Sequence, residues 1–206
     1  MGLARWAQVV PLDAWPSGLP QTGIVMLCRR DVFAVAEQWR AGQATMRALL
    51  VIACMWGNGS AGYGPARALK VLCADPDGVN LEHNLELVRG ERPSEEDLRA
   101  AYQRFNSASP THLRGLGPSF FTKLLYFAGY RRGIGGVQPL ILDKRVASHL
   151  PAAAGPARTR RWGWSSGHWI AYLKWAAGEA ARPLFGGESD TVEMALFDGE
   201  WRPDDR

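Results

Sequence analysis

Residues 113–146 read Leu113-Arg-Gly-Leu-Gly-Pro-Ser-Phe-Phe-Thr-Lys-Leu-Leu-Tyr-Phe-Ala-Gly-Tyr-Arg-Arg-Gly-Ile-Gly-Gly-Val-Gln-Pro-Leu-Ile-Leu-Asp-Lys-Arg-Val146. Three features stand out: a glycine turn at Gly115-Leu116-Gly117, a helical run carrying Lys123, and Asp143 where a further helix begins. The glycines permit backbone angles that other residues resist, and Leu116 can plug the space between two helices meeting there. The N–H groups opening the second helix, with the positive end of its dipole, suit an anion such as a phosphate. An ordinary tight turn between helices has the same sequence, so the turn alone leaves both readings open.

Lys123 falls at the edge of an apolar helical face, near Phe120 and Phe127 on one side and Ser119 and Tyr126 on the other. Desolvation at that edge favours an uncharged amine able to attack carbon. A lysine whose stem lies on apolar surface with its head in water fits the same position. Asp143 reads as the cap of a helix through Leu150, and a capping carboxylate can also point into a cleft.

Outward from this stretch the pattern is helical. Asp31 is expected to cap a helix over 32–41, and Ala44–Trp56, apolar almost all round, reads as a central buried helix. Further helices are expected from Pro65 to Cys73, Leu81 to Val88, Ser94 to Phe105, Pro110 to Leu113, Pro118 to Arg131, Trp169 to Ala181, and Thr191 to Phe197 behind an Asp190 cap. There are almost no alternating strand patterns, and no internal repeat is visible. The fold class is therefore all-α, a compact multi-helix domain built around two helices and the hairpin. Residues 1–22, with Pro11, Pro16 and Pro20, are expected as an extended N-terminal arm with Trp6 and Trp15 as anchors. Residues 23–206 form the helical domain, with the hairpin and catalytic segment at 110–150, and the 203–206 tail is expected to fray.

The chain has 206 residues, 47% hydrophobic and 21% charged, the balance of a globular protein. Its charge of +4 favours a polyanionic partner without requiring one. Cys28, Cys54 and Cys73 have no metal-ligand spacing, so buried free thiols in a reducing, cytoplasmic compartment are expected, and four-cysteine iron–sulfur or zinc sites are excluded. There is no secretory signature, and the most apolar run, Ala48–Trp56, is far short of the roughly 20 residues that cross a bilayer. No heptad or leftover apolar stripe asks for a partner, so a monomer is expected. The glycine-rich loop 57–65 fits neither a Walker A nor a dinucleotide-binding pattern. It reads as a helix connection, or as a pocket lining in which Trp56 stacks on a flat ligand and Asn58 hydrogen-bonds it.

The order of hairpin, helix with lysine, apolar segment and Leu-Asp-x-Arg-Val resembles the helix-hairpin-helix DNA glycosylase superfamily. Leu142-Asp143-Lys144-Arg145-Val146-Ala147 looks especially like the 8-oxoguanine glycosylases, including the archaeal branch. The likeness is close over 113–146, and the helical remainder is compatible with it. In the common pattern the lysine falls at the position of Ser119; Lys123 is four residues further, about 6 Å along the axis on nearly the same face. The archaeal branch places its lysine later in a similar Phe-x-x-Lys context.

The resemblance implies duplex DNA containing a damaged base as partner, and association with the bacterial nucleoid through that DNA. It implies Lys123 as nucleophile, Asp143 as its carboxylate, and Gly115, Leu116, Gly117, Ser119 and Arg145 on the DNA backbone. The cluster Arg158, Arg160 and Arg161 is a further candidate for phosphates. Trp56, Asn58, Phe127 and Trp169 are candidates for the base pocket, with Phe120 and Trp164 as further aromatics. No metal or organic cofactor is needed, although a cation on hairpin carbonyls is compatible with the pattern. Three other readings stay open: a non-catalytic DNA-binding module, a monofunctional glycosylase using Asp143 alone, and a helical interaction protein.

Overall fold

The computed structural model describes residues 1–58, 62–159 and 163–203. Those residues form ten α-helices and no strand, with one isolated antiparallel bridge between Gly2 and Ile24. The helices are α1 (Ala4–Ala7), α2 (Arg29–Arg40), α3 (Met46–Asn58), α4 (Gly64–Ala74), α5 (Val79–Leu85), α6 (Glu95–Arg104), α7 (Pro118–Gly129), α8 (Lys144–His149), α9 (Ser166–Glu179) and α10 (Ser189–Asp198). None is long and apolar enough to cross a membrane.

The two most apolar helices are the centre. Every residue of α3 from Ala48 to Met55 is buried, as is every residue of α7 from Phe121 to Gly129. Each fully buried Leu or Val contributes about 1.5–3 kcal/mol, so these helices dominate the core. α2 packs on both, α4 lies against α3, and α8, α9 and α10 form a second group reached through α6 and α7. At the end of α7 the chain needs glycine: a Cβ on Gly129 would fall 2.8 Å from both Pro139 Cγ and Val88 Cβ.

A buried carboxylate ties the two groups together. Asp190, fully buried on α10, accepts from the hydroxyls of Tyr126 on α7 and Tyr130 just past its end at 3.2 Å each and from Arg132 at 2.7 Å. Asp190 therefore lies inside the helix and is not its cap. Asp31 differs from expectation in the same way. It is the third residue of α2, its carboxylate accepting from the Cys28 N–H at 2.8 Å. Aspartate at a helix start serves as cap or as third-position partner, and the sequence signal for the two is shared. Ser94 and Asp143 do cap α6 and α8.

The N-terminal residues are not extended throughout. They turn once in α1 and again at Leu12–Ala14, and Leu3 N–H donates to Gly23 O at 2.9 Å. Trp6 anchors the arm: a Cβ on Gly64 would meet its ring at 2.6 Å. Trp15 is only partly buried and donates to Leu19 O at 2.8 Å. Cys54 is buried, but Cys28 and Cys73 are exposed. The segment 110–113 is turn rather than helix, so the hairpin enters α7 from a run of turns after α6. Residues 59–61 of the glycine-rich loop, Arg160, Arg161, Trp162 and the 204–206 tail lie outside the described residues.

Candidate active site

Between the two helix groups is a cleft of about 620 Å³. The start of α2, the end of α3 and α7 supply one wall, and Asp143 and α10 the other. Lys123 and Asp143 meet across it.

Lys123 projects from the buried face of α7 with its Nζ 2.9 Å from Asp143 Oδ2 and 3.0 Å from Ser119 O. Only 9% and 16% of the two side chains are exposed, so the pair is held largely out of water while still lining the cleft. The other Asp143 oxygen accepts from the Arg145 and Val146 N–H groups at 3.0 Å. One carboxylate thus starts α8 and fixes the lysine. Burial pushes the Asp143 carboxyl up, but Lys123 and the two N–H groups outweigh it and hold it below the usual carboxylate range. Thr122 adds a rivet beneath, its hydroxyl accepting from Leu142 N–H at 3.1 Å and fixing the approach to Asp143.

The lysine stem runs past Gly57. A Cβ there would stand 3.1 Å from Lys123 Cδ and 3.4 Å from Cε. Gly57→Ala is expected to cut activity about tenfold or more by displacing the amine, with stability unchanged or raised, since alanine favours a helix by about 1 kcal/mol. Rate and thermal midpoint measured on the same preparation check this; equal losses in both would point to a folding defect instead.

In the hairpin, only Gly115 has a positive φ, +104°. Gly117 is extended, at φ −80° and ψ 173°, and its Cβ position is open space, so the fold itself does not demand glycine there. The N–H groups of Gly117 and Ser119 have no partner among the described residues, whereas those of Phe120 and Phe121 are taken by Gly117 O. Leu116 is buried as expected. Arg145 is exposed, but its guanidinium donates to Phe197 O and lies 4.4 Å from the Phe197 ring, turned towards α10. Arg158 is exposed.

The expected base pocket is largely corrected. Trp56 lines the cleft, with Arg29 5.6 Å from its ring centroid. Phe127 is fully buried, packed edge-on against Phe33 and Trp56, and Trp169 is fully buried with its Nε1 donating to Leu140 O at 2.9 Å. Trp164 is likewise core, donating to Ala157 O at 3.0 Å. None of these three can meet a ligand in the cleft. Asn58 is used inside the fold: it donates to Cys54 O at 2.7 Å and accepts from Arg67 at 2.9 Å, and Arg67 stacks on Phe120.

The cleft also holds groups the sequence reading missed. Glu193 is completely buried yet lines the cleft, and Arg29 reaches one of its oxygens at 2.6 Å. Among the described residues the Glu193 oxygens have no partner beyond that Arg29 pairing, and the buried Tyr172 hydroxyl has none. Burial pushes the Glu193 carboxyl up to about 7 against the pull of Arg29. Phe197, partly exposed, lies on the same wall. A charged residue on the Val192–Leu196 inner face of α10 was the available signal.

A family model described as "Putative 8-oxoguanine DNA glycosylase OGG-like protein" matches residues 1–197. The chain belongs to this family. The match runs through Phe197, so Arg29, Lys123, Asp143 and Glu193 all lie within it. No curated protein and no solved structure matches the chain. Membership places the chain among the DNA glycosylases of DNA repair, with DNA as the substrate bound. Among the described residues no group of three or more His, Cys, Asp or Glu side chains is gathered to hold a metal ion.

Proposed function

We propose that the protein excises 8-oxoguanine from duplex DNA and then cleaves the strand as an AP lyase, with Lys123 as nucleophile and Asp143 as its proton partner. The observation that carries this reading is the 2.9 Å contact between Lys123 Nζ and Asp143 Oδ2 on the wall of an open cleft. A base in duplex must leave the stack before its glycosidic bond can be reached. The free Gly117 and Ser119 N–H groups suit a phosphate beside the lesion, with the exposed Arg145 as a further contact.

For attack, Lys123 passes a proton through Asp143 to solvent, which leaves the carboxylate ionised, and the amine's lone pair bonds C1′ as the C1′–N bond breaks. The base leaves with the bonding pair and takes up a proton. Opening of the sugar ring gives a protonated Schiff base on Lys123; loss of a C2′ proton then expels the 3′ phosphate and cuts the strand. Asp143 is placed to stabilise positive charge on the sugar during the first step.

Glu193 and Arg29 set the charge of the cleft wall behind the base. The Glu193 oxygens are buried and paired with Arg29 rather than open to the cleft, so they act on the reacting sugar through charge, and Trp56 and Phe197 offer flat apolar surface to the base. Base release is therefore expected to rise with pH through about 7 as Glu193 ionises, and Glu193→Gln should lose that limb. Stability runs the other way. The folded carboxyl holds its proton up to about 7 and the unfolded one to 4.5, so this stabilisation is full below 4.5 and lost as pH rises through 7. A pH–rate profile and pH-dependent melting of both proteins check the two trends.

The reading itself is tested by single-turnover release of 8-oxoguanine from a duplex carrying one such base. Release with strand cleavage is expected; release with an intact strand would favour a monofunctional enzyme, and binding without release a non-catalytic module.

A further inference from the structure

Beyond Arg29, Arg30 and Arg132, which line the cleft on one side, lies a second cavity of about 730 Å³. It contains neither Lys123 nor Asp143 and is bounded by five arginines. Two are answered by buried carboxylates of α10: Arg29 by Glu193 at 2.6 Å and Arg132 by Asp190 at 2.7 Å. Arg40 and Arg131 are not. Arg40 donates to the Phe127 and Ala128 carbonyls at 3.3 and 3.1 Å, and Arg131 to the Ala128 and Tyr130 carbonyls at 3.0 and 3.1 Å. The two guanidiniums thus share the carboxyl end of α7.

Carbonyls satisfy N–H groups but do not cancel charge. The carboxylate nearest Arg40 is Glu37, 4.0 Å away on a side chain that is 72% exposed, and Arg131 has none within 4.0 Å among the described residues. Burial first, and Arg40 second, pull Arg131 down to about 10 against the weaker opposing pull of Glu37 and Glu91 on the rim. Two half-buried like charges side by side, open to a cavity, are a costly arrangement that an entering anion relieves. Arg30, exposed at the mouth, has no carboxylate within 4.0 Å among the described residues, and Phe33 supplies an apolar wall. Glu37 and Glu91 on the rim oppose an anion, which makes their removal informative.

We infer that this cavity is a phosphate-binding site, distinct from the Lys123–Asp143 cleft, in which Arg40 and Arg131 grip one phosphate group and Arg30 guards the mouth. The phosphate belongs to a DNA strand running past the shared arginine wall, or to a free nucleotide; the DNA source rests on the function proposed above.

The test uses the full chain. Binding to an undamaged duplex is measured over a salt series for wild type, Arg131→Gln, Arg30→Gln and the Glu37→Gln/Glu91→Gln pair, and inorganic phosphate and dAMP are titrated calorimetrically. A strand phosphate predicts that Arg131→Gln flattens the slope of log affinity against log salt by about 0.9. The glutamine pair should tighten binding about two- to fivefold. A free phosphate predicts saturable binding of inorganic phosphate or dAMP that Arg131→Gln removes, with the DNA slope unchanged. Should Arg131→Gln fail to fold, Arg30→Gln and the glutamine pair, which leave the α7 carbonyls bonded, carry the test. Unchanged slopes together with no phosphate or dAMP binding overturn the inference. If that happens while wild type still releases base, only this site fails. Phosphate binding here without any base release would leave this site standing and sink the glycosylase reading.

Discussion

Lys123→Ala is expected to lower base release on the order of 10³-fold or more and to leave no covalent intermediate. The magnitude follows from the site. Among the residues lining the cleft, Lys123 is the only lysine, and its amine touches the one carboxylate oxygen in line to take its proton. Water replacing the amine would have to attack without the positioning that α7 provides. The substitution also strips a largely buried carboxylate of its counter-ion. Asp143 keeps two backbone N–H donors, so the stability loss should be about 1–3 kcal/mol, below the range for a fully orphaned buried charge. Single-turnover rates beside a thermal melt separate the two effects. A Lys123→Ala protein that folds and retains more than a tenth of wild-type release would remove the lysine from the chemistry.

Asp143→Asn is expected to cost about 10²–10⁴ in rate and about 1–3 kcal/mol in stability from the broken ion pair, while the α8 cap survives because asparagine caps a helix about as well as aspartate. The amide can still accept from Arg145 and Val146, but it neither takes a proton from Lys123 nor answers charge on the sugar. Asp143→Ala should lose the same activity and about 1 kcal/mol more of stability, the worth of the α8 cap. The contrast between the two variants isolates the carboxylate's chemistry from its structural duty. Equal stability losses in both would mean that the ion pair, rather than the cap, holds α8 in place.

The all-helical fold was legible because the apolar spacing is helical from α2 to α10 and the strongest runs, α3 and α7, are the buried centre. Lys123 and Asp143 were legible for a local reason: one sits at a definite helical phase and the other at a helix start, so short-range rules place both. Glu193 and Arg29 were not. They meet only through the packing of α10 against the start of α2, and nothing in either neighbourhood signals the other. The aromatics failed for the converse reason. A tryptophan that fills a core and one that lines a cleft have the same sequence context; Trp169 and Phe127 proved to be core, while Trp56 lines the cleft. Asp31 and Asp190 were misplaced by two or three residues, which turned a third-position partner and a buried staple into expected caps.

The most direct measurement is borohydride trapping on a duplex carrying a single 8-oxoguanine, with wild type, Lys123→Ala and Asp143→Asn compared. Wild type is expected to form a covalent protein–DNA adduct, Lys123→Ala none, and Asp143→Asn a greatly slowed one. An adduct of wild-type yield in Lys123→Ala, or base release by wild type with no adduct at all, would contradict Lys123 as the nucleophile.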